Sequence, residues 1–448
     1  MCTKKQNQPS AVGVDFGTTN SSIALATGHG QVQLACFPAQ TGNTVSFRSL
    51  LYLEQMKKAG RSQTLSRTGP AAIEHYLAAE HKGRLIQSLK SYLPSRSLTG
   101  TEIFGRHYTV EDLISRMLAD LRLHAERQFG APVRCAVAGR PVRFAGAETE
   151  EDDAYALSRL RHAFAMAGYE SVTFEMEPVA AAYAYESTLD HDELILIGDF
   201  GGGTSDFSLL HVGPSVRKRG RAAKDLLGNS GVGMAGDAFD ARIVRKLVSP
   251  ALGSGSLARS LNNILPAVPA WIYANLERWH YLSFLRTRNV VEILKSARIR
   301  ALEPEKIAAL ITLIDEDLGY HLHQAVQRVK FELSHSEEAE FHFRDGSMDL
   351  RIRVTRAEFE HWIAEELAAM ADCVDGLLRR TNIGPGDVDR VFLTGGSSFV
   401  PAVRRIFETR FGAARIRTGD EFTSVARGLA LRAEESHGKT AGRAAKAR

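Results

Sequence analysis

One short pattern occurs twice in this chain, and few folds can accommodate both copies. In each copy an apolar strand ends in Asp-Phe-Gly, small or hydroxylated residues follow, and a second apolar strand begins (residues 12–26 and 194–210). Apolar strands joined by a glycine-containing turn are typical of β-hairpins. The two aspartates, Asp15 and Asp199, lie about one domain length apart. The sequence therefore predicts a duplicated structural unit.

Matching segments follow each hairpin. Residues 133–141 and 391–401 each predict a strand that enters a glycine-containing turn before a helical stretch. Residues 177–185 and 423–431 predict helices so rich in alanine and glycine that their backbones can approach closely where the halves meet. We therefore predict an α/β fold built from a duplicated unit, with two lobes and a cleft between them.

The repeat also predicts the domain boundaries. Lobe I is expected over residues 10–190 and lobe II over residues 191–432. The helix-rich stretch at about 241–343 is predicted to form an insertion in lobe II. The last residues, 437–448, are glycine, alanine and basic residues and predict a flexible basic tail.

Composition and charge exclude several classes of protein. The chain has 448 residues, 44% hydrophobic and 24% charged, which is typical of a soluble globular protein. The net charge of +4 is accounted for by the tail (Lys439, Arg443, Lys446 and Arg448), so nucleic-acid binding is disfavoured. Charges or glycines interrupt every apolar run, the four cysteines lie far apart, and no secretion signal opens the chain. We expect a cytoplasmic monomer that does not enter a membrane.

The hairpin turns are suited to binding phosphate. Small residues at a hairpin tip can present several backbone N–H groups to one anion. Asp15 and Asp199 would repel phosphate, so they make sense if Mg²⁺, with its preference for carboxylate, water and phosphate oxygens, lies between. The predicted phosphate-binding residues are Gly17, Thr18 and Thr19 in the first loop and Gly201, Gly202, Gly203 and Thr204 in the second.

These motifs resemble those of the heat-shock chaperones of the DnaK class, within the actin-like ATPase superfamily. Residues 13–21 and 199–206 look like the two phosphate loops of that class. Residues 177–185 are similar to its connecting helix, EPTAAAxAY, residues 236–240 to its GGEDFD segment, and residues 393–401 to its adenosine loop. The resemblance covers about residues 10–432. It implies a duplicated actin-like (ribonuclease H-like) fold with a nucleotide cleft between the two lobes.

The resemblance also implies roles for the polar residues. Asp15 and Asp199 would hold Mg²⁺ through water, and Asp199 would accept the proton of the attacking water. Lys90 would contact the γ-phosphate and that water. Glu177 and Asp206 would complete the polar shell, so the predicted catalytic residues are Lys90, Glu177, Asp199 and Asp206. Such a site acts by positioning and charge neutralisation.

For the adenosine of ATP or ADP, the resemblance implies binding residues in two segments. Phenylalanines stand where the family has two arginines, which predicts a base stacked between aromatic rings. The implied residues are Lys330, Phe331 and Ser334 in a helix, and Gly395, Gly396, Ser397 and Phe399 in the adenosine loop.

We therefore expect a slow Mg²⁺-dependent ATPase of the chaperone type in which nucleotide controls lobe closure and regulates a protein client or co-chaperone. The chain ends near the end of the ATPase region, and it resembles a stand-alone YegD-type branch without its own peptide-binding domain. A close alternative is a nucleotide sensor or scaffold with little hydrolysis. A sugar-type kinase is disfavoured because its motifs are missing, and a filament-forming actin homologue because of the DnaK-type helix at residues 177–185.

Overall fold

The structure is a computed structural model, and it describes residues 10–28, 30–39, 42–58, 61–79, 83–186, 189–219, 223–260, 263–277, 281, 285–346, 348–418 and 423–446. The chain divides into two compact units. The first unit comprises Met1–Ala235, Ala369–Ser398 and Arg405–Arg448, and the second comprises Gly236–Ala368 and Phe399–Arg404.

Most strands belong to the first unit. Its strands are β1 Ser10–Phe16, β2 Asn20–Gly28, β3 Gln31–Leu34, β4 Phe37–Ala39, β5 Gly42–Thr44, β6 Phe47–Arg48, β7 Leu50–Lys58, β8 Arg61–Thr68, β9 Arg84–Gln87, β10 Gly100–Ile103, β11 Arg106–Thr109, β12 Val133–Arg140, β13 Ser171–Met176, β14 Glu193–Phe200, β15 Ser205–Val212, β16 Leu226–Val232, β21 Arg390–Thr394 and β22 Ile416–Thr418. The strands of the second unit are β17 Leu257–Ser260, β18 Asn263–Pro266, β19 Glu338–Asp345 and β20 Met348–Thr355.

The helices, in chain order, are α1 Gly69–Ala78, α2 Val110–Phe129, α3 Glu150–Met166, α4 Glu177–Glu186, α5 Pro214–Arg219, α6 Gly236–Ile243, α7 Ser249–Ala251, α8 Ala270–Leu276, α9 Arg288–Arg300, α10 Pro304–Asp315, α11 Gly319–His335, α12 Arg356–Trp362, α13 Ala364–Thr381, α14 Pro401–Phe411 and α15 Ser424–Lys446. Short 3-10 helices occur at Leu89–Tyr92, Ala223–Asp225, Pro385–Asp387, Gly396–Phe399 and Ala413–Arg415, and a π-helical turn at Val244–Val248.

Two sheets of the first unit have the same topology. One runs β13-β12-β1-β2-β3, and the other runs β22-β21-β14-β15-β16. In both, the central strand (β1 or β14) pairs antiparallel with the next strand of its hairpin and parallel with a strand that comes much later. The duplicated α/β unit predicted from the sequence is therefore present as two sheets of matching strand order and direction.

Burial explains why the central strands fold as they do. β14 reads Glu-Leu-Ile-Leu-Ile-Gly-Asp-Phe and is buried along nearly its whole length. A continuous apolar run is typical of a strand covered on both faces. In β1, Val12 and Val14 are fully buried in one core with apolar residues of α2 and α3. Burial therefore anchors each hairpin through its central strand, β1 or β14. The aspartate of each hairpin lies near the end of that strand.

The helices that cover these sheets begin at defined caps. Thr109 and Asp112 form a reciprocal capping box at the start of α2, and Thr149 and Asp152 do the same for α3. Such caps satisfy backbone N–H groups that the first turn of a helix leaves unpaired. α2 ends at Gly130, whose φ of +68° suits glycine. Capping thus fixes where the two helices begin.

The two small-residue helices, α4 and α15, approach as closely as their sequences predicted. A Cβ added to Gly428 of α15 would overlap the carbonyl oxygen of Ala180 in α4. A Cβ added to Gly13 of β1 would overlap the backbone nitrogen of Ala430. Ala24, Ala426 and Ala430 form a small buried cluster at this contact. The backbones of β1, α4 and α15 therefore meet with no room for a side chain between them.

The second unit contains helices α6 to α12 and two hairpins, β17-β18 and β19-β20. The predicted insertion at about 241–343 lies within it, while the boundaries 10–190 and 191–432 stay predictions. The tail predicted over 437–448 continues the backbone of α15 as far as Lys446, and its last residues lie outside the described part. Among the helices that the structure describes, none combines the length and apolar character needed to cross a bilayer.

Candidate functional site

The tips of the two hairpins lie close together in the first unit. We call residues 17–19, between β1 and β2, the first loop, and residues 201–204, between β14 and β15, the second loop. A Cβ placed on Gly203 of the second loop would lie 3.5 Å from the Thr18 hydroxyl oxygen of the first. Gly395, with a φ of +85°, follows β21, and a Cβ there would overlap the carbonyl oxygen of Phe200. The structure thus brings both predicted phosphate loops and the start of the predicted adenosine loop together.

The first loop is braced from outside. The Ser49 hydroxyl donates a hydrogen bond to the Gly17 carbonyl oxygen at 2.7 Å, and the Ser49 backbone N–H donates to the Thr19 carbonyl oxygen at 2.9 Å. The hydroxyls of Ser49 and Ser21 also lie 2.9 Å apart. A Cβ at Gly17 would overlap the carbonyl oxygen of Asn20, so this turn requires glycine.

The second loop is closed by its own backbone. The Gly201 N–H donates to the Thr204 carbonyl oxygen at 3.0 Å, and a Cβ at Gly201 would sit 3.6 Å from that oxygen, an ordinary contact distance. The turn is therefore roomier than the first. Its glycines and hydroxyl are the groups that can serve as donors to an anion without a Cβ in the way.

Four carboxylates, which we call the carboxylate cluster, lie beside the loops. Asp15 and Asp199 occupy equivalent positions next to the last residue of β1 and β14. Asp206 pairs opposite Asp199 in the β14-β15 ladder and is buried. Glu177, also buried, is the first residue of α4. The duplicated sheets thus supply three of these groups and the connecting helix the fourth.

Lys90 is the cation of this cluster. Its ammonium nitrogen lies 2.6 Å from Glu177 Oε1, and the side chains are only 7% and 9% exposed. Burial alone would lower the pKa of Lys90, but Glu177 and Asp15 outweigh that effect and raise it. Lys90 therefore stays charged within the cluster.

If all four carboxylates were ionised, they would carry more negative charge than one lysine offsets, and their pKa values reflect this. Burial, together with the charge of Glu177, raises the pKa of Asp199 to about 8 and that of Asp206 to about 7. Burial and Glu177 likewise raise the pKa of Asp15 well above its ordinary value. These shifts favour the protonated carboxyl in the nucleotide-free protein, and groups with such shifts are typical of functional sites.

The negative charge that these carboxylates carry when ionised fits a divalent cation. Within the described ranges, no group of three or more His, Cys, Asp or Glu side chains is arranged to ligate an ion directly. Mg²⁺ prefers one or two carboxylates beside water and phosphate oxygens. Holding Mg²⁺ through water is the role predicted for Asp15 and Asp199, and that role stays a prediction.

A backbone donor missed by the sequence analysis also serves the cluster. The Val142 N–H donates to Asp206 Oδ1 at 2.9 Å, and this bond, with one from Thr204, lowers the pKa of Asp206 against the larger effect of burial. Val142 follows the strand-and-turn segment 133–141 that the sequence did indicate. A backbone contact of this kind leaves no mark in side-chain identity, so no sequence signal could have found it.

Four of the predicted adenosine residues belong to the second unit. Lys330 on α11 forms an ion pair with Asp240 at 2.7 Å and donates to the Gly236 carbonyl oxygen at 3.2 Å. The Ser334 hydroxyl donates to the Lys330 carbonyl oxygen at 3.0 Å. Phe331 and Phe399 are unusually exposed residues for their size, at 63% and 38%. Their nucleotide-binding roles, and those of Gly396 and Ser397, stay predictions.

Comparison with known proteins accounts for this architecture. Residues 11–254 and 312–444 match the sequence model of the family described as Hsp70 protein. The chain is 26% identical over 432 residues to the chaperone protein DnaK from each of two strains of Thermus thermophilus, which covers 94% of this chain and 60% of each relative. The chain therefore belongs to the Hsp70 family, and the predicted actin-like two-lobed ATPase fold is confirmed. It spans about 60% of the length of those relatives.

Proposed function

We propose that this protein binds ATP and ADP with Mg²⁺ and hydrolyses ATP slowly. The observation that carries the proposal is the convergence of four carboxylates and Lys90 beside two facing glycine-containing loops. Membership of the Hsp70 family and the likeness to the DnaK relatives support it.

Each part of the site would then have one task. The loops would bind phosphate oxygens through backbone N–H groups and the hydroxyls of Thr18, Thr19 and Thr204. Mg²⁺, when bound, would neutralise phosphate charge. Lys90 would hold the γ-phosphate and the attacking water, and Asp199 would accept that water's proton. These roles agree with what phosphoryl transfer requires, which is mainly positioning and electrostatic stabilisation.

The test combines calorimetric titration of ATP and ADP, with and without Mg²⁺, and single-turnover cleavage. We expect Lys90→Ala and Asp199→Asn to slow cleavage at least about a hundredfold while binding persists. Lys295→Ala removes an exposed lysine of α9 and should leave both measurements unchanged. Absence of any adenine-nucleotide binding would refute the site assignment.

We also propose that the base stacks against Phe331 and Phe399. Both rings are exposed, and base stacking on an aromatic ring contributes about 1–3 kcal/mol. Phe331→Ala and Phe399→Ala should each weaken ATP binding about tenfold. Phe104→Ala, which removes an exposed phenylalanine from the β10-β11 turn, is the matched control and should not change the affinity. Equal affinities in all three variants would contradict the stacking.

A second function, nucleotide sensing with little hydrolysis, is favoured by the Lys90–Glu177 ion pair. At 2.6 Å the ammonium of Lys90 is engaged by a carboxylate rather than open to a phosphate. If this pair persists with ATP bound, ATP will bind but remain uncleaved in the single-turnover experiment. In that case Glu177→Gln should raise cleavage above wild type, whereas it should lower cleavage if Glu177 supports hydrolysis.

The proposal also covers the protein partner, the cellular location and the oligomeric state. We propose that nucleotide-controlled lobe closure regulates a protein client or co-chaperone, and that the protein works as a cytoplasmic monomer. Family membership supports a protein partner. Affinity capture with ATP and with ADP, followed by comparison of the bound proteins, tests this point. The proposal requires a partner whose retention differs between the two nucleotides.

A further inference from the structure

The turn that carries Lys90 has a strained backbone. We call the 3-10 helix Leu89–Tyr92 the Lys90 turn. It begins after Ser88, a buried residue whose φ of +57° and ψ of +26° lie in the left-handed region that disfavours side chains other than glycine. A short 3-10 helix also has poorer hydrogen bonds than an α-helix. Such a segment keeps its shape only when its surroundings hold it.

Arg159 of α3 holds this segment at its C-terminal end. The residue is only 5% exposed. Its Nη1 donates hydrogen bonds to three carbonyl oxygens, those of Tyr92 at 3.2 Å, Leu93 at 3.1 Å and Ser95 at 3.2 Å. One buried guanidinium therefore binds three carbonyl groups at and just beyond the end of the Lys90 turn, of which that of Tyr92 also accepts from the Ser95 N–H.

Glu111 of α2 fixes the other side of the guanidinium. Its Oε1 accepts from Arg159 Nε at 2.6 Å, and its Oε2 accepts from Nη2 at 3.1 Å. This two-point pairing orients the planar group and neutralises its buried charge. All three nitrogens of Arg159 thus have acceptors, and α2, α3 and the Lys90 turn are joined through one side chain.

The Lys90 turn lies directly against the site. Lys90 contacts Glu177, as described above, and the next residue, Ser91, places its hydroxyl oxygen 3.8 Å from the position that a Cβ would take at Gly203 of the second loop. A shift of this turn would therefore move the Lys90 ammonium relative to the second loop and Glu177. Small displacements of a positioned group can cost large factors in rate.

We propose that Arg159, oriented by Glu111, is a positioning residue of the nucleotide site, which it serves by fixing the Lys90 turn. The inference rests on the proposed function for its catalytic consequence. Its structural part, that Arg159 holds the turn, stands on the contacts of the nucleotide-free protein alone. The two parts are therefore tested separately.

The structural part is tested by amide hydrogen exchange of the nucleotide-free protein. Arg159→Lys keeps the charge but loses the planar fork. Exchange over residues 89–95, where Leu93 and Ser95 donate to the carbonyl oxygens of Lys90 and Tyr92, should accelerate at least about tenfold. The matched control is Arg410→Lys, because Arg410 also pairs at two points with a carboxylate, Asp375, and donates to a carbonyl. It should accelerate exchange near α14 and leave residues 89–95 unchanged.

The catalytic part is tested by single-turnover cleavage beside ATP affinity. Arg159→Lys should slow cleavage at least about tenfold with ATP affinity within twofold of wild type, and Glu111→Gln should slow it less. Because Arg159 acts through Lys90, adding Arg159→Lys to Lys90→Ala should slow cleavage no further.

The outcomes separate this inference from the proposed function. Unchanged exchange over residues 89–95, or equal acceleration there in Arg410→Lys, would show that Arg159 does not hold the Lys90 turn. Accelerated exchange with wild-type cleavage, or rate losses that multiply in the double variant, would overturn the link to Lys90. If the wild-type protein cleaves no ATP, the proposed function fails, and the exchange measurement still decides whether Arg159 holds the turn.

Discussion

The two hairpins of the first unit share one frame but differ in what they carry. In both, a central strand ends near an aspartate, pairs antiparallel with the next strand and parallel with a distant one. Opposite Asp15, however, stands Ser22, whereas opposite Asp199 stands Asp206. The second hairpin therefore holds two acids where the first holds one.

The two loops also differ in the hydrogen bonds that hold them, and here the first hairpin has more. Ser49 ties the first loop by two hydrogen bonds from a neighbouring segment, and its turn leaves no space for a side chain. The second loop is closed by a bond between its own residues, Gly201 and Thr204. The two copies therefore share the same strand arrangement. The first has a loop held by Ser49 from a neighbouring segment, and the second has an additional acid, Asp206.

The largest expected effect is on stability, and it comes from a substitution at the contact between α4 and α15. Gly428→Ala puts a Cβ into the carbonyl oxygen of Ala180, so α4 and α15 must separate. We expect a loss of at least about 3 kcal/mol in the free energy of unfolding, measured by urea denaturation. The control is Gly376→Ala in α13, where the added Cβ meets only the ends of two flexible side chains, Arg380 at 3.3 Å and Arg379 at 3.9 Å. That variant should be neutral or gain up to about 1 kcal/mol. Equal stability of both would disprove the close packing.

The next prediction compares the rate of ATP cleavage after substitution of Asp206, opposite Asp199, and of Ser22, opposite Asp15. Asp206→Asn removes a charge from the carboxylate cluster and should slow single-turnover cleavage about tenfold or more. Ser22→Ala removes a buried hydroxyl that has no hydrogen-bond partner among the described residues, so cleavage should stay at the wild-type rate and stability should not fall. Equal rate losses in the two variants would mean that the hairpins contribute alike.

A third prediction concerns pH. The pKa values of Asp199, about 8, and Asp206, about 7, lie far above the ordinary value of 3.8. Between pH 3.8 and these folded-state pKa values, the folded protein keeps protons that the unfolded chain has lost. The free energy of unfolding therefore falls as the pH rises through this range. The Tm of the nucleotide-free protein, measured by calorimetry, should therefore decrease from pH 5 to pH 8. Asp199→Asn should flatten this slope, and Glu102→Gln, at an exposed carboxylate of β10, should not. A Tm that rises over this range would be contrary to the prediction.

The smallest effect tests the bracing of the first loop. Ser49→Ala removes the hydroxyl that donates to Gly17 and should weaken ATP affinity about fivefold, since a net hydrogen bond contributes about 1 kcal/mol. Ser115→Ala removes a similar hydroxyl-to-carbonyl bond within α2, at 2.9 Å, and should leave the affinity unchanged. Unchanged affinity in both would show that the loop does not depend on Ser49.

The sequence reveals the hairpins and the small-residue helices because each depends on residue type at a fixed place. Asp-Phe-Gly marks a strand end, and alanine and glycine mark the contact of α4 with α15. Lys90 could be found only through the family resemblance, since a single lysine has no pattern of its own. Ser49 and Arg159 had no signal at all, because their roles arise from distant segments that meet only in the fold.

The contact of Gly13 with Ala430 has a consequence for synthesis of the chain. β1 is synthesised long before α15, yet the backbone against which it packs belongs to α15. While the ribosome is still translating the middle of the chain, one face of the first sheet has no covering layer. Contacts between segments so far apart in sequence are slow to form. The nascent protein must therefore keep that apolar face from sticking to other chains until α15 emerges, and truncation before Ala430 would leave it permanently open.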